Sequence, residues 1–595
     1  MKTIVSGFLE TARRHAGRVA VRDGAISLTY GELAELVLRV AGALNQRLDR
    51  PGPVAVLTPH DVSSAAALLG AMASGRGVIP LDADHPDARN RLIASHGAAV
   101  GVVTVSAVAE RARALFDTDQ GVVEIDRLET GSEPPAMESP PSPEDLAYVL
   151  YTSGSTGAPK GAFQVHGPLL DDLEHSVRSF GLTPDDRPAL FYPPAVAAGL
   201  RALLGTLLAG ASAHLLAPRT LGAQGLVGEI RARGITVLRS SATLFRHVAE
   251  AADDGGLDSL RLVALGGDRV DWTDYDAFRR VCGPHARFAS HLGATECSLY
   301  AEWFVEETAR GNGGALPVGR TIPGYRITLA GADGAEAPDG EVGEFVIESS
   351  RVAQGYWRDP ERTAESFAAG PAGDLRVYRT GDLGRRRPDG LYEVAGRRDH
   401  QIKLRGFRIE LGEIESALRA CSGVKDAAVL TRQATDGRIA SLAAYVELKP
   451  GVTGLLSRHL QSMLAQRLPA HMIPADIVVI DALPWLPNFK IDRQGLNDLD
   501  AARTARAASP AADPVTAEII KAFESVLKVK GASADDDLLS LGGDSLQAVT
   551  VALEIEQRLG VPVSPQDIDM SCPIGEIAVR LGLAVRLVQP DAAAP

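Results

Sequence analysis

One stretch constrains the fold more than any other: the apolar run LAYVL (146–150) leads directly into Tyr151–Gly161, YTSGSTGAPKG. Three glycines, two serines, two threonines and a single lysine fall within that segment. A strand that opens into such a loop turns backbone N–H groups and hydroxyls toward an anion, and Lys160 adds a positive charge. The order of residues is not GxxxxGK[ST], so the nucleotide P-loop is excluded. The bland alternative is a flexible Gly/Ser turn, and the specific order of the residues argues against it.

The surroundings place this strand and loop in an α/β architecture. Short apolar runs at Gly52–Thr58, Gly101–Thr104 and Thr236–Leu238 alternate with helical patterns, which predicts βα units and a mostly parallel sheet. At 595 residues the chain is too long for one ordinary core, and two or three domains are expected. Residues 1–398 carry the βα rhythm; the proline-rich 134–145 reads as a surface connection within it. Residues 399–499 change to a smaller α+β pattern, with ELGEIESALRAC as a helix and DAAVL and SLAAYVEL as strands. Residues 500–513, rich in alanine and proline, read as a linker. A short helical domain follows at 514–587, then a loose tail at 588–595.

Charge and composition narrow the partners. A formal net charge of −14 argues against a nucleic-acid or anionic-membrane surface, since either needs an exposed basic face. The four cysteines, Cys282, Cys297, Cys421 and Cys572, form no CxxC pair, which suits a reducing cytosol and no zinc site. The N-terminal segment reads as an amphipathic helix without a continuous apolar core, so no signal peptide is expected. Pro193–Pro218 is nearly all apolar but is interrupted by Arg201 and His214, which predicts a buried helix followed by a strand. A cytoplasmic location is the expectation.

The loop at 151–161 resembles the phosphate loop of the adenylate-forming enzymes, which include acyl-CoA synthetases, luciferases and nonribosomal peptide synthetase adenylation domains. Eight further segments are similar to that family's motifs and fall in its order: LTYGEL (28–33), GVIPLDADHP (77–86), GATE (293–296), GEFVIESSRVAQGYW (343–357), YRTGDL (378–383), GRRDHQIKLRGFRIELGEIE (396–415), LPAHMIP (468–474) and PNFKIDR (487–493). The resemblance implies a large adenylate-forming N-terminal domain over 1–398 and a small, mobile α+β subdomain over 399–499.

It also implies roles. Thr152, Ser153, Ser155, Thr156 and Lys160 would meet the phosphates of ATP, and Thr295 the α-phosphate. Glu296 would help hold Mg²⁺, since a carboxylate beside a triphosphate needs a bridging cation. Asp382 would accept from the ribose hydroxyls, and Arg397 would contact ATP. Lys490 would stabilise the charge that develops when a carboxylate approaches the α-phosphate; Phe489 stands where the family usually has glycine. Asp399 matches the hinge between the two subdomains, and Gly406 the loop that admits the thiol arm. Leu292 stands where many adenylation domains place an aromatic residue against adenine.

LGGDSLQAV (541–549) resembles the attachment motif of peptidyl and acyl carrier proteins, and Ser545 matches the serine that receives 4′-phosphopantetheine. A plain helix N-cap is the rival explanation; the position in a short helical domain behind an adenylating enzyme favours the carrier, of four-helix type.

Against the family's pattern the acid pocket is unusual. Counted without gaps from LLAGA (207–211), the aspartate that pairs with an α-ammonium is replaced by Ala197, with Ala198 beside it. The same counting places Arg201, Arg239, Ala264, Gly266, His291, Leu299 and Tyr300 around the substrate. A buried ammonium left unpaired costs about 3–5 kcal/mol, so an ordinary α-amino acid is disfavoured. Keto, hydroxy, aryl, β-amino, hydrazino and dicarboxylic acids all remain. Two arginines and a histidine suggest a second carboxylate, with an outward-pointing or internally paired arginine as the alternative.

The expectation is therefore an ATP-dependent acid–thiol ligase, AMP-forming, that loads a small carboxylic acid onto its own carrier. It implies a phosphopantetheinyl transferase and a downstream biosynthetic enzyme as partners. The alternatives are an acyl-CoA or acyl-ACP ligase and, in another class, a degenerate adenylation scaffold that merely presents a carrier.

Overall fold

The computed structural model describes Lys2–Val588 apart from 117–120, 130–134, 138–139, 155–158, 307–313, 372, 399–400, 434–437, 453–455, 486–490, 508–513, 528, 530–531, 535, 539–540, 542, 544, 565–566 and 571. The chain divides into two compact units, one made of Met1–Gly154, Ala158–Ala217 and Leu226–Arg408, the other chiefly of Ile409–Pro595.

Among its described residues the first unit holds two large sheets. One runs in spatial order Gly355–Tyr356, Lys160–Val165, Leu146–Thr152, Val78–Asp82, Val54–Thr58, Val102–Thr104 and Val122–Glu124. Its last five strands are parallel, as the near-continuous apolar runs require: strands buried on both faces carry no alternation. The other sheet has the parallel strands Pro188–Leu190, Val237–Ser240, Leu262–Leu265 and Arg287–Ala294 side by side, extended by Ser298–Phe304 in the antiparallel sense. A third sheet, Arg326–Ala330, Gly343–Ser349 and Arg376–Arg386, is antiparallel and takes Tyr392–Arg397 along its last strand.

Helices cover these sheets, and their starts are written in the sequence. In LTYGEL, Thr29 caps the helix Tyr30–Arg47 by accepting from the Glu32 N–H, while the Glu32 carboxylate accepts from the Thr29 N–H at 2.8 Å. That capping box satisfies two orphan donors reciprocally. The Tyr30 ring is fully buried and its hydroxyl donates to the Ala211 carbonyl at 2.7 Å, so the residue ties the helix to the opposite connection. The apolar stretch expected as a helix and a strand is the helix Ala197–Leu208 followed by the strand Ala213–Leu215.

The second unit contains Val424–Gln433, Ile439–Leu448 and Asp476–Ile480 as one sheet, with the helix Leu411–Arg419 before it. The helix Arg493–Ala507 runs beyond Leu499 into the stretch read as linker. Alanine and arginine are strong helix formers, which explains the extension where hydrophobic periodicity is weak. Three long helices, Pro514–Leu527, Ser545–Leu559 and Ile574–Val588, share an apolar core that includes Phe523, Val551, Ile555 and Ile577. Among the described residues no helix is long and apolar enough to cross a membrane.

Candidate active site

The strands Leu146–Thr152 and Lys160–Val165 are antiparallel neighbours, and Thr152 stands directly opposite Lys160. The glycine-rich loop therefore closes a hairpin and delivers one hydroxyl and one ammonium side by side. The Thr152 hydroxyl oxygen is buried and has no hydrogen-bond partner among the described residues. A buried hydroxyl left without a partner costs about 1–3 kcal/mol, so this oxygen is suited to meet a polar ligand.

Lys160 points at the turn between Arg287–Ala294 and Ser298–Phe304, where Thr295 is half-buried and Glu296 has no exposed surface. The Lys160 Nζ lies 3.6 Å from Glu296 Oε1 and 5.0 Å from the centre of the Tyr356 ring. Tyr356 donates its hydroxyl to the same oxygen at 3.0 Å. Arg408 Nη1 donates to both carboxylate oxygens, at 3.1 and 2.9 Å. Burial alone would raise the Glu296 carboxyl, but Arg408 and then Lys160 outweigh it and hold it at about 2. Glu296 is therefore ionised at every physiological pH.

Arg408 is fixed in turn. Its Nε donates to Gln401 at 2.7 Å, and its carbonyl accepts from the buried Ser153 hydroxyl at 2.9 Å. Two residues earlier, Gly406 adopts a left-handed conformation (φ +83°) and donates its N–H to Asp268 at 2.7 Å. A Cβ there would stand 3.0 Å from that of Ser241, so the glycine allows both the turn and the close approach. Asp382, 3 % exposed in the strand Arg376–Arg386, is the cross-strand neighbour of Arg397 and forms an ion pair with it. Lys403 Nζ comes within 4.0 Å of the same carboxylate.

These groups fit a nucleotide polyphosphate: an unsatisfied hydroxyl, a shielded lysine and a second guanidinium converge within one unit. The fit for magnesium rests on Glu296 alone, because no cluster of three or more metal-ligating side chains occurs among the described residues. One carboxylate suits magnesium, which is held by one or two carboxylates together with substrate phosphates.

The residues expected around the acid gather at the carboxyl ends of the parallel strands, where open α/β sheets bind their ligands. Strand Val237–Ser240 runs into Ser241, Leu262–Leu265 into Gly266, and His291 follows Ser290, the register partner of Leu265. A cavity of about 610 Å³ opens there, lined by Tyr192, Ala198, Ser241, Gly266, His291 and Gly406 among others. A Cβ on Gly266 would lie 2.4 Å from the His291 ring, so glycine gives that imidazole its place. Burial and then Arg239 push the His291 pKa down to about 3, which keeps the ring neutral.

Behind it is a smaller cavity lined by Asp172, Ser179, Phe180, Arg201, Leu299 and Glu302, and Arg239 lines both. Arg239 stands opposite Ala264, and Ala264 opposite Ala289; two small side chains leave room for the guanidinium. Arg201 belongs to the inner cavity only: Nε is 3.3 Å from Asp172, and Nη2 donates to the Tyr148 hydroxyl at 3.0 Å. Ala264 is fully buried in the wall, and Tyr300 is enclosed in an apolar cluster with its hydroxyl unpartnered. Ala197 packs against the apolar core rather than lining either cavity. Leu292, at the expected adenine position, is buried in the same cluster as Tyr300.

Asp172, Tyr356 and Arg408 escaped the sequence reading. Asp172 left one signal, a carboxylate on the buried face of His166–Ser179 beside Leu169, Leu170 and Leu173. Tyr356 and Arg408 sit inside motifs that were noticed but not resolved residue by residue. Ser545 is the first residue of the helix Ser545–Leu559. Ser155, Thr156, Asp399 and Lys490 lie outside the described residues.

Residues 8–357 match the AMP-binding enzyme family, 413–490 the AMP-binding enzyme C-terminal domain, and 517–577 the phosphopantetheine attachment site. The chain belongs to the AMP-binding enzymes, in the arrangement of a nonribosomal peptide synthetase adenylation domain followed by a carrier domain. Among its relatives are a phenyloxazoline synthase, MbtB, of a Mycobacterium species (34 % identical over 97 % of this chain and 49 % of the relative). Another is the phosphinothricin tripeptide synthetase PhsC of Streptomyces viridochromogenes (34 % over 93 % and 51 %). The chain spans about half the length of these curated relatives. A solved structure, the holo form of PA1221, a nonribosomal peptide synthetase protein with adenylation and carrier domains, superposes with a TM-score of 0.79 at 26 % identity, over 98 % of this chain and 96 % of that one.

Proposed function

We propose that this chain activates a carboxylic acid with ATP as an acyl-adenylate, releasing pyrophosphate, and then passes the acyl group to the thiol of a carrier arm on Ser545, releasing AMP. The observation that carries the proposal is the convergence on Glu296: Lys160, Arg408 and Tyr356 surround one buried carboxylate beside the unsatisfied Thr152 hydroxyl. In the first step a carboxylate oxygen attacks the α-phosphorus and pyrophosphate leaves. Thr152, Ser153, Ser155, Thr156, Lys160 and Thr295 hold phosphate oxygens, and Lys490 stabilises the charge that builds between the two anions. Glu296 holds magnesium; Asp382 and Arg397 orient the ribose; Asp399 is the hinge. The phosphopantetheine arm supplies the thiol that accepts the acyl group, and Gly406 leaves room for it. A phosphopantetheinyl transferase installs the arm, a downstream enzyme consumes the product, and the setting is the cytoplasm, where four buried free cysteines stay reduced.

The acid is not an ordinary α-amino acid. Among the described residues no Asp or Glu lines the outer cavity. In the inner one, Asp172 pairs with Arg201 and accepts from Ser298, and Glu302 accepts from Ser179. An α-ammonium would meet Arg239 instead, cation against cation.

The test is acid-dependent ATP–pyrophosphate exchange across a panel with and without an α-amine, followed by intact mass of the phosphopantetheinylated protein. Exchange only with α-amino acids overturns the substrate reading. Exchange with no acid supports a degenerate scaffold, and product formed only with free coenzyme A supports an acyl-CoA ligase.

A further inference from the structure

We infer that the acid carries a second carboxylate, received by Arg239 at the wall between the two cavities. The inference rests on the activation chemistry proposed above and names its substrate class.

Arg239, half-buried between the two cavities, is the cation of this region that the protein leaves without a direct ion pair. Among the described residues it has no ion pair and no hydrogen bond, and its Nε is buried without a partner. Its guanidinium carbon lies 4.5 Å from the centre of the Phe180 ring, a face contact that positions the group without neutralising it. Arg201 shows the contrast: the same cavity gives it Asp172 and Tyr148. The two carboxylates that act on Arg239 form no ion pair with it among the described residues: Asp172 is held by Arg201 and by Ser298 at 2.7 Å, and Glu302 accepts from Ser179 at 2.6 Å.

Burial pulls the Arg239 pKa down to about 10, with Asp172 and Glu302 acting against the fall. The guanidinium thus stays charged at neutral pH, and it lines the cavity with no direct ion partner to compete for an incoming anion. A substrate carboxylate matches the planar fork with two parallel hydrogen bonds. Beside it, His291 offers a neutral imidazole whose Nδ1 is buried and unpartnered among the described residues, a second group able to bond an oxygen-rich end.

Direction follows from the other side of the cavity. Gly267 lies against Gly406, and Arg408, two residues on, holds Glu296. The reacting carboxyl belongs at that side, toward the phosphate loop, which leaves the distal group facing His291 and Arg239. A compact acid with carboxylates at both ends and no α-amine satisfies both sides.

The experiment measures exchange by the full chain with short straight-chain dicarboxylic acids, their monomethyl esters, the matching monocarboxylic acids and the matching ω-amino acids. The expected result is a preference for a dicarboxylic acid on the order of ten-thousand-fold in kcat/KM over its ester and its monoacid, the scale on which a polar site rejects a ligand that leaves its groups unpaired. Arg239→Leu should erase the preference and Arg239→Lys should keep part of it. Equal use of diacid and monoacid by the wild type, or preference for an ω-amino acid, overturns the inference even if the variants do not fold. Exchange with monoacids alone leaves the activation chemistry standing and removes Arg239 from it. Exchange with no acid overturns the activation chemistry itself.

Discussion

Arg408 places one nitrogen between both oxygens of Glu296, at 3.1 and 2.9 Å, while Lys160 approaches the same carboxylate from the hairpin at 3.6 Å. Two cations share one buried anion, so the two sides of the pair are not equivalent. Glu296→Gln leaves two shielded cations without a counter-ion and should cost about 3–5 kcal/mol. Arg408→Ala should cost less, because Lys160 and the Tyr356 hydroxyl still serve the carboxylate. Urea unfolding followed by the fluorescence of Trp272, Trp303 and Trp357, all within the first unit, measures both. Equal losses would mean that Lys160 does not share the charge.

The same carboxylate sets an acid limit. Its pKa in the folded protein is about 2, below the ordinary glutamate value. A carboxyl depressed on folding contributes stability that is complete above its unfolded pKa, about 4.3, and that is lost as pH falls toward the folded value. The stability gap between the wild type and Glu296→Gln should therefore hold above about pH 5 and close steadily below it. A gap independent of pH down to acid unfolding would show that the carboxyl is not depressed.

Space beside His291 gives a third test. A Cβ on Gly266 would stand 2.4 Å from two ring atoms and 2.8 Å from the His291 carbonyl oxygen, and the backbone contact cannot be relieved by a rotamer change. Gly266→Ala should cost about 1–3 kcal/mol as overpacking does. Acid-dependent exchange should fall at least as far as stability suggests, because the displaced ring lines the cavity. Adding His291→Ala should restore part of the stability, since the two positions are in contact and their effects do not add. Additive losses would place the strain elsewhere.

Much of this site was legible from the sequence because its motifs are local. Thr152 and Lys160 come together through a hairpin whose loop is written in consecutive residues. The capping box of Thr29 and Glu32 lies within four residues, and the buried strands are continuous apolar runs. What could not be read were the long-range pairings. Arg201 meets an aspartate on another helix, and Glu296 meets Tyr356 and Arg408 from two later segments. Gapless counting along the chain gives positions near a pocket but not the direction of a side chain. It therefore grouped Arg201 with Arg239, although one is neutralised by Asp172 and the other faces both cavities. Tyr300 was grouped with them for the same reason, and its ring packs toward Phe345.

The two halves of the proposed reaction should separate genetically, because the residues assigned to them lie in different segments. Lys490 is assigned to the step in which two anions meet, and an interaction made in a transition state appears in kcat and kcat/KM together. Lys490→Ala should therefore lower acid-dependent exchange by about a hundred-fold or more, with the melting temperature unchanged, since removing one developing-charge stabiliser costs about 2.7–4 kcal/mol of barrier. Ser545→Ala should do the reverse: exchange at the wild-type rate, and no mass increase on treatment with a phosphopantetheinyl transferase. The carrier's apolar core of Phe523, Val551 and Ile555 is untouched by that change. A Ser545→Ala protein that still gains the arm would move the attachment site. A Lys490→Ala protein with full exchange would leave the charge between the two anions to Lys160 and Arg408, the two cations already gathered at Glu296.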